Sequence, residues 1–421
     1  MFKNFSFSIA FKVVSAVMMF ISVPLLLKIL GKHDYGIWAA LTSLLVWISL
    51  FDFGIGYALK NTVSKALAND NLEKARAETI QTLKIMLIFC VILLVLFFVL
   101  VNSVELLIAN HYLAMALFIP AIIIFPLSMG NMILQGARKV AFQAGLMMVS
   151  PFIFLSFLLV GSYYSFEFSL LWIGVIYSIS TAISLSLVWF YSSKKIGLNF
   201  SDYKKITSAI IKYERLRLGL KFFGLQVTSI VLYSMGPIII ITFLHTEDVA
   251  DFDILNKIFL FGMSIFSIGI SVFWPELTHH REKKNYAYIY KIYFTMIALA
   301  LLFSIGSFIF AFIAPSIIEL WTGNIILVRW DQAIWFSLLV SIQAFAYSGA
   351  VVLNAYEQIN IQLVIAVFST ILMLPLTILF INDGYGIVAI PISASILTII
   401  PAIYCNLHAF KIIKKEKSGL C

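Results

Sequence analysis

The chain has 421 residues, of which 62% are apolar and 12% charged, where soluble domains run near 45–50% apolar and about 25% charged. At a mean hydropathy of +1.01 there are too few polar side chains to cover a water-facing surface, which excludes a cytosolic enzyme, a disordered tail and a disulfide scaffold. The net charge of +9 would suit nucleic acid, but the basic residues occupy short connections and no folded basic domain accompanies them.

Runs such as Ile85 to Val101 and Ile292 to Ile313 lack polar alternation, which excludes a transmembrane β-barrel. Only helices satisfy every backbone group over such lengths in lipid. Hydropathy predicts twelve: 7–30, 36–59, 79–102, 112–135, 140–162, 169–193, 218–243, 252–274, 288–313, 331–353, 360–382 and 385–408. The first follows Lys3 and continues past Lys12; it is too long for a signal peptide and is read as a retained span. The connections alternate in charge. Lys60, Lys65, Lys74, Arg76 and Lys84 fall on one side, with Arg138 and Lys139, Lys194 to Lys221, Arg281 to Lys284, and Lys411 to Lys417. Glu105, Glu167, Glu247, Asp248, Asp251, Glu319 and Asp383 fall on the other. By the positive-inside rule both termini are cytoplasmic. The scattered Cys90, Cys405 and Cys421 give neither a disulfide framework nor metal spacing.

Residues 1–200 form one expected six-helix bundle, 201–217 a basic cytosolic linker and 218–421 a second bundle. The stretch Gly130-Asn131-Met132-Ile133-Leu134-Gln135-Gly136-Ala137, leading to Gln143, matches Gly349-Ala350-Val351-Val352-Leu353-Asn354-Ala355-Tyr356, leading to Gln362. Leu30-Gly31-Lys32-His33-Asp34-Tyr35-Gly36 matches Leu244-His245-Thr246-Glu247-Asp248-Val249-Ala250 more weakly. Six helices per half keep both repeats in one orientation, the parallel type of transporter repeat. In such folds substrate binds between the repeats and rocking alternates the access. The expected fold is therefore an all-α polytopic membrane protein, two six-helix bundles related by a parallel pseudo-two-fold.

A charge inside a membrane helix usually faces protein or a wet cavity. Asp52, in Leu50-Phe51-Asp52-Phe53-Gly54-Ile55-Gly56, admits two readings. Burial would favour its protonated form and suit ion coupling; or it pairs with Lys60 or caps a helix kinked at Gly54 and Gly56. Lys257 either pairs with Asp253 on one helix face or offers a cation to an anionic substrate. Lys12 and Lys28 either snorkel to the interface or bind phosphate. Arg138 is an anchor or a cleft cation, and Arg329 pairs locally beside Asp331. The amides Asn131, Gln135, Gln226, Asn256 and Asn354 suit helix–helix hydrogen bonds or, with Tyr233, Trp274, Tyr347 and Tyr356, sugar hydroxyls. No Gly-rich phosphate loop or metal-spaced histidine set is present, so neither an enzyme nor a cofactor is expected.

Leu25 to Lys32, Tyr35-Gly36-Ile37-Trp38, Ser43-Leu44-Leu45, Asp52-Phe53-Gly54-Ile55-Gly56, Leu59-Lys60-Asn61, Asn69-Asp70 and Lys74-Ala75-Arg76 together resemble the Wzx-type O-antigen flippases. These are polysaccharide transporters of the multidrug/oligosaccharidyl-lipid/polysaccharide exporter (MOP) superfamily. The resemblance implies an inner-membrane flippase for an undecaprenyl-diphosphate-linked oligosaccharide, serving lipopolysaccharide biosynthesis beside a polysaccharide polymerase and chain-length proteins. It implies that Lys12, Lys28, Lys60, Arg138 and Lys257 receive the anionic head and that Asp52 couples an ion gradient. A MATE-like multidrug antiporter and a membrane-embedded glycan transferase or ligase stay open as alternatives.

Overall fold

The fold comes from a computed structural model that describes residues 2–164, 166, 168–199, 202, 213–356, 358 and 360–417. Most of the expected linker, and with it Glu167, Glu357 and Cys421, lies outside the described residues. Contacts divide the chain into Met1–Phe223 and Gly224–Cys421.

The first unit opens with α1 (Phe2–Leu45), a 3-10 segment (Val46–Asp52) and α2 (Ile55–Ala68). Next are α3 (Leu72–Leu100), the short α4 (Glu105–Ala109) and α5 (His111–Ile124). A 3-10 turn (Phe125–Ser128) leads into α6 (Met129–Gly136). Then come α7 (Val140–Met147), α8 (Val149–Tyr163) and α9 (Leu170–Ile196). Helix α10 (Tyr213–Ser234) runs across the division into the second unit. That unit continues with α11 (Gly236–Phe243), α12 (Thr246–Ser271) and α13 (Phe273–Glu282). It closes with α14 (Tyr286–Thr322), α15 (Trp330–Ala355), α16 (Asn360–Asn382) and α17 (Ala389–Lys417). There is no strand among the described residues.

Several spans are broken where hydropathy reads them as smooth. The 44 residues of α1 would reach about 66 Å at 1.5 Å each, roughly twice a bilayer core. Gly31 resolves this: at φ 72°, ψ 174° it leaves helical geometry in a region closed to most side chains, and splits α1 into two crossings. The expected second helix tightens to 3-10 after Leu45, then stops at Phe53 (φ 45°) and Gly54 (φ 74°) before α2 begins. Helices α10 and α11 meet at a 47° bend, where Pro237 opens α11 without needing an amide donor. Among the described residues ten helices are long and apolar enough to span, or eleven with that bent pair joined. Counting α1 as two crossings brings the described spans to the expected twelve.

Helix α3 shows how a span divides its faces. Thr79, Ile80, Leu83, Met86, Cys90, Leu93 and Phe97 are buried at helical spacing, while Ile88, Val91, Val95 and Val99 are exposed. In water such a strip would be an aggregation site; in a membrane it meets acyl chains. Hydroxyls along the spans are largely neutralised by their own helix. Ser22 donates to the Met18 carbonyl at 2.9 Å, Thr79 to Ala75 at 2.8 Å and Ser393 to Ala389 at 2.8 Å. These hydroxyls are then not left bare in lipid.

The sequence repeat has a counterpart in packing. A Cβ on Gly130 would lie 3.1 Å from Trp189 Cα of α9 and 2.9 Å from Ser192 Oγ. A Cβ on Gly349 would lie 2.8 Å from backbone atoms of Cys405 and Asn406 in α17. In each unit a glycine at the matched position lets the fourth span lie against the sixth. Helix α15 is the hub of its unit, packed on α12, α14 and α17.

Candidate functional site

In the first unit a cavity of about 330 Å3 opens between the 3-10 segment, α5, α6 and α9. Asp52 is its one charged residue; Ser49, Ser128, Asn131, Tyr177, Ser178 and Thr181 supply the other polar groups. Asp52 and Asn131, singled out separately in the sequence, thus share one chamber.

Each residue of the Asp52-to-Gly56 motif has a part. Asp52 is 7% exposed, and its Oδ1 accepts the Gly54 N–H at 2.8 Å. A Cβ on Gly56 would stand 2.9 Å from Asp52 Oδ2, so the missing side chain lets the first turn of α2 close on the carboxylate. The positive end of the helix dipole favours the anion there. Phe53, in the left-handed conformation, packs its ring 5.2 Å from Phe89 and 4.8 Å from Phe223. The carboxylate caps α2 through backbone amides; among the described residues no ion pair joins it to Lys60.

Asn131 Oδ1 accepts from Gln143 Nε2 at 2.7 Å, tying α6 to α7. Thr181 donates to the Tyr177 carbonyl at 3.0 Å. The Tyr177 ring meets Trp38 edge-on at 5.2 Å, and Phe154 lies beside both. Tyr35 and Trp38 of the N-terminal motif are therefore core residues beneath the chamber, at 0% and 4% exposure. The wall is otherwise largely apolar, so the carboxylate is the one group there that can take up or release a proton.

The cation candidates disperse. Lys12 and Lys28 are exposed on α1, and sixteen positions at 100° each set them about 160° apart around the helix, so they do not share a face. Where α2 crosses α6 the Lys60 carbonyl lies 2.7 Å from where a Gly136 Cβ would stand, a backbone approach that says nothing of the Lys60 ammonium. Arg138 follows two residues later, exposed, at φ 57°. Lys257 pairs with Asp253 at 2.5 Å. Gln135, Asn256 and Asn354 are half-buried, and Gln226 Oε1 is buried without a partner among the described residues. Arg329 forks onto Asp331. Of the aromatic candidates, Tyr356 is occupied: its hydroxyl donates to Glu416 and the Arg281 guanidinium lies 4.4 Å over its ring. Burial, and then the Glu416 carboxylate, push that phenol far above its ordinary range. Ser49, Ser128, Tyr177 and Thr181 were not singled out in the sequence, although Ser178, Thr181, Ser184, Val188 and Ser192 recur every three or four residues along α9.

The family described as polysaccharide biosynthesis protein matches residues 1–279. A Salmonella typhimurium protein named as an O-antigen transporter is 26% identical over 316 residues, covering 72% of this chain and 71% of its own length. A Salmonella typhi protein of the same name is 24% identical over 430 aligned positions, covering 96% and 94%. A solved structure of a multidrug resistance MATE family transporter of the MOP superfamily, in an inward-facing conformation, aligns with a TM-score of 0.76. It covers 98% of this chain and 99% of its own at 16% identity, so that likeness is one of fold. With a match across more than half its length and a MOP-type helical fold, the chain belongs to the polysaccharide biosynthesis protein family.

Proposed function

We propose that the chain is an inner-membrane flippase. It carries a polyprenyl-diphosphate-linked O-antigen unit, or a similar polysaccharide repeat, from the cytoplasmic to the periplasmic leaflet by alternating access. The observation that carries the reading is the Asp52 chamber: a carboxylate, an amide and hydroxyls held inside an apolar helical unit. Moving a glycan diphosphate through hydrocarbon strips water from charges and hydroxyls at a cost of several kcal/mol per group. A polar passage removes most of that cost, and titration or cation binding at Asp52 supplies the driving gradient. The relatives named as O-antigen transporters support this cargo. Lys60 on α2 and the exposed Arg138 just after α6, two helices that pack together, are the cations assigned in this reading to the diphosphate. Basic connections set the cytoplasmic side. No step makes or breaks a covalent bond.

Deleting the gene tests this. The expected result is loss of polymerised surface glycan with accumulation of the lipid-linked unit on the cytoplasmic leaflet, both reversed by a plasmid copy. Normal surface glycan together with new sensitivity to cationic dyes would overturn the reading in favour of drug export.

A further inference from the structure

The second unit holds a larger chamber, about 590 Å3, walled by α10, α12, α15, α16 and α17. At ~30 Å3 per water it has room for roughly twenty waters, the space of one or two pyranose rings. None of its lining residues is charged, so it offers neither a diphosphate nor a cation a counter-charge. Its polar groups are neutral and graded in depth. Ser229 and Ser264 are exposed at the rim, Tyr347 is half-buried, and Gln343 and Thr398 are 6% and 2% exposed at the base.

The base is short of one acceptor. Thr398 donates to the Ala394 carbonyl at 2.6 Å, so the 3.2 Å contact with Tyr233 is a bond from the phenol to Thr398 Oγ1. The Tyr233 proton is thus committed. Gln343 Nε2 is buried and makes no hydrogen bond of ordinary length and angle among the described residues; the nearby Tyr233 oxygen, which can accept while its proton goes to Thr398, meets it only loosely. Buried donors in native structures are rarely left unmet, and this one lines the chamber. A ligand that supplies an acceptor to Gln343, offers hydroxyls to a serine and threonine wall, and lays a C–H face on tyrosine is a neutral sugar.

We infer that the chamber of the second unit is the binding subsite for an uncharged sugar ring of the cargo, with Gln343 donating to a ring or hydroxyl oxygen. The inference rests on the flippase reading, which identifies the cargo as a glycan, and names where its sugar part is held.

The test uses the purified full chain in nanodiscs of phosphatidylethanolamine and phosphatidylglycerol. Two probes are titrated: the oligosaccharide released by mild acid from the host's lipid-linked unit, and polyprenyl diphosphate without sugar. The oligosaccharide is expected to bind the wild type, and to bind Gln343→Leu about two- to tenfold more weakly, the range of one lost hydrogen bond. Ser264→Trp, at an exposed rim position, should block the oligosaccharide while leaving the fold intact. Polyprenyl diphosphate should bind all three proteins equally. Oligosaccharide affinities unchanged in both variants would overturn the subsite. So would failure of the wild type to bind the oligosaccharide while the gene still restores surface glycan, an outcome that leaves the flippase reading standing. If deletion leaves the glycan normal, the flippase reading falls; Gln343-dependent oligosaccharide binding would then support the chamber as a sugar site by itself.

Discussion

Asp52 caps α2, and the proposed function gives it a second role in ion coupling; substitution can separate the two. Asp52→Asn keeps an oxygen for the Gly54 N–H but cannot change charge, so it should unfold at the wild-type temperature. Its glycan translocation should fall about 5- to 150-fold, the usual range of a coupling energy. Asp52→Ala removes the acceptor as well and should lower stability by about 0.5–2 kcal/mol, as loss of a helix cap does. Full translocation by Asp52→Asn, followed by the transfer of labelled lipid-linked unit into vesicles, would reduce Asp52 to a cap. The sequence exposed this residue because a carboxylate amid Leu50, Phe51 and Phe53 is conspicuous. It did not expose Tyr177 or Thr181, because a hydroxyl on an apolar helix reads alike whether it faces a cavity or bonds to its own backbone. Lys257 was equally ambiguous until Asp253 was seen 2.5 Å from its ammonium.

At the scale of helices, the glycine crossings make a prediction with a built-in control. Gly349→Val would drive a side chain into the backbone of α17, and overpacking of this kind costs about 1–3 kcal/mol. Gly130→Val should do the same against α9. Gly306, inside α14, has open space where a Cβ would stand, so Gly306→Ala should be neutral or stabilise by up to about 1 kcal/mol through helix propensity. Thermal unfolding in detergent of the three variants checks the contrast. Every span was legible as an apolar run, and a kink at Gly54 was one of the two readings of Asp52, but the interruption at Met235–Gly236 was not legible. Hydropathy registers what lipid tolerates, not whether φ stays negative. Gly31 was visible in the sequence, yet it read as part of a loop between helices, whereas the chain turns there within a single residue.

For the whole molecule, the alternation of basic and acidic connections predicts sidedness. Reporter fusions at Lys139, at Lys284 and after Lys417 should be active only in the cytoplasm, and fusions at Ser103 and Asn324 only outside it. A reversed pattern would invert the direction proposed for transport. The two-fold plan could be read from the Gly130 and Gly349 segments alone, and the recurring close crossing explains why those glycines stand where they do. The chambers could not be read, since their walls come from helices far apart in the chain. The matched positions Asn131 and Ala350 each line the chamber of their own unit, so an inherited pair of rooms has been furnished differently. Only the first contains an acid. Under the proposed flippase reading, adaptation to a new surface polymer would have a half of the gene in which to work without disturbing the power supply: changes that retune cargo choice should gather downstream of residue 224, and changes that alter fuel upstream of it.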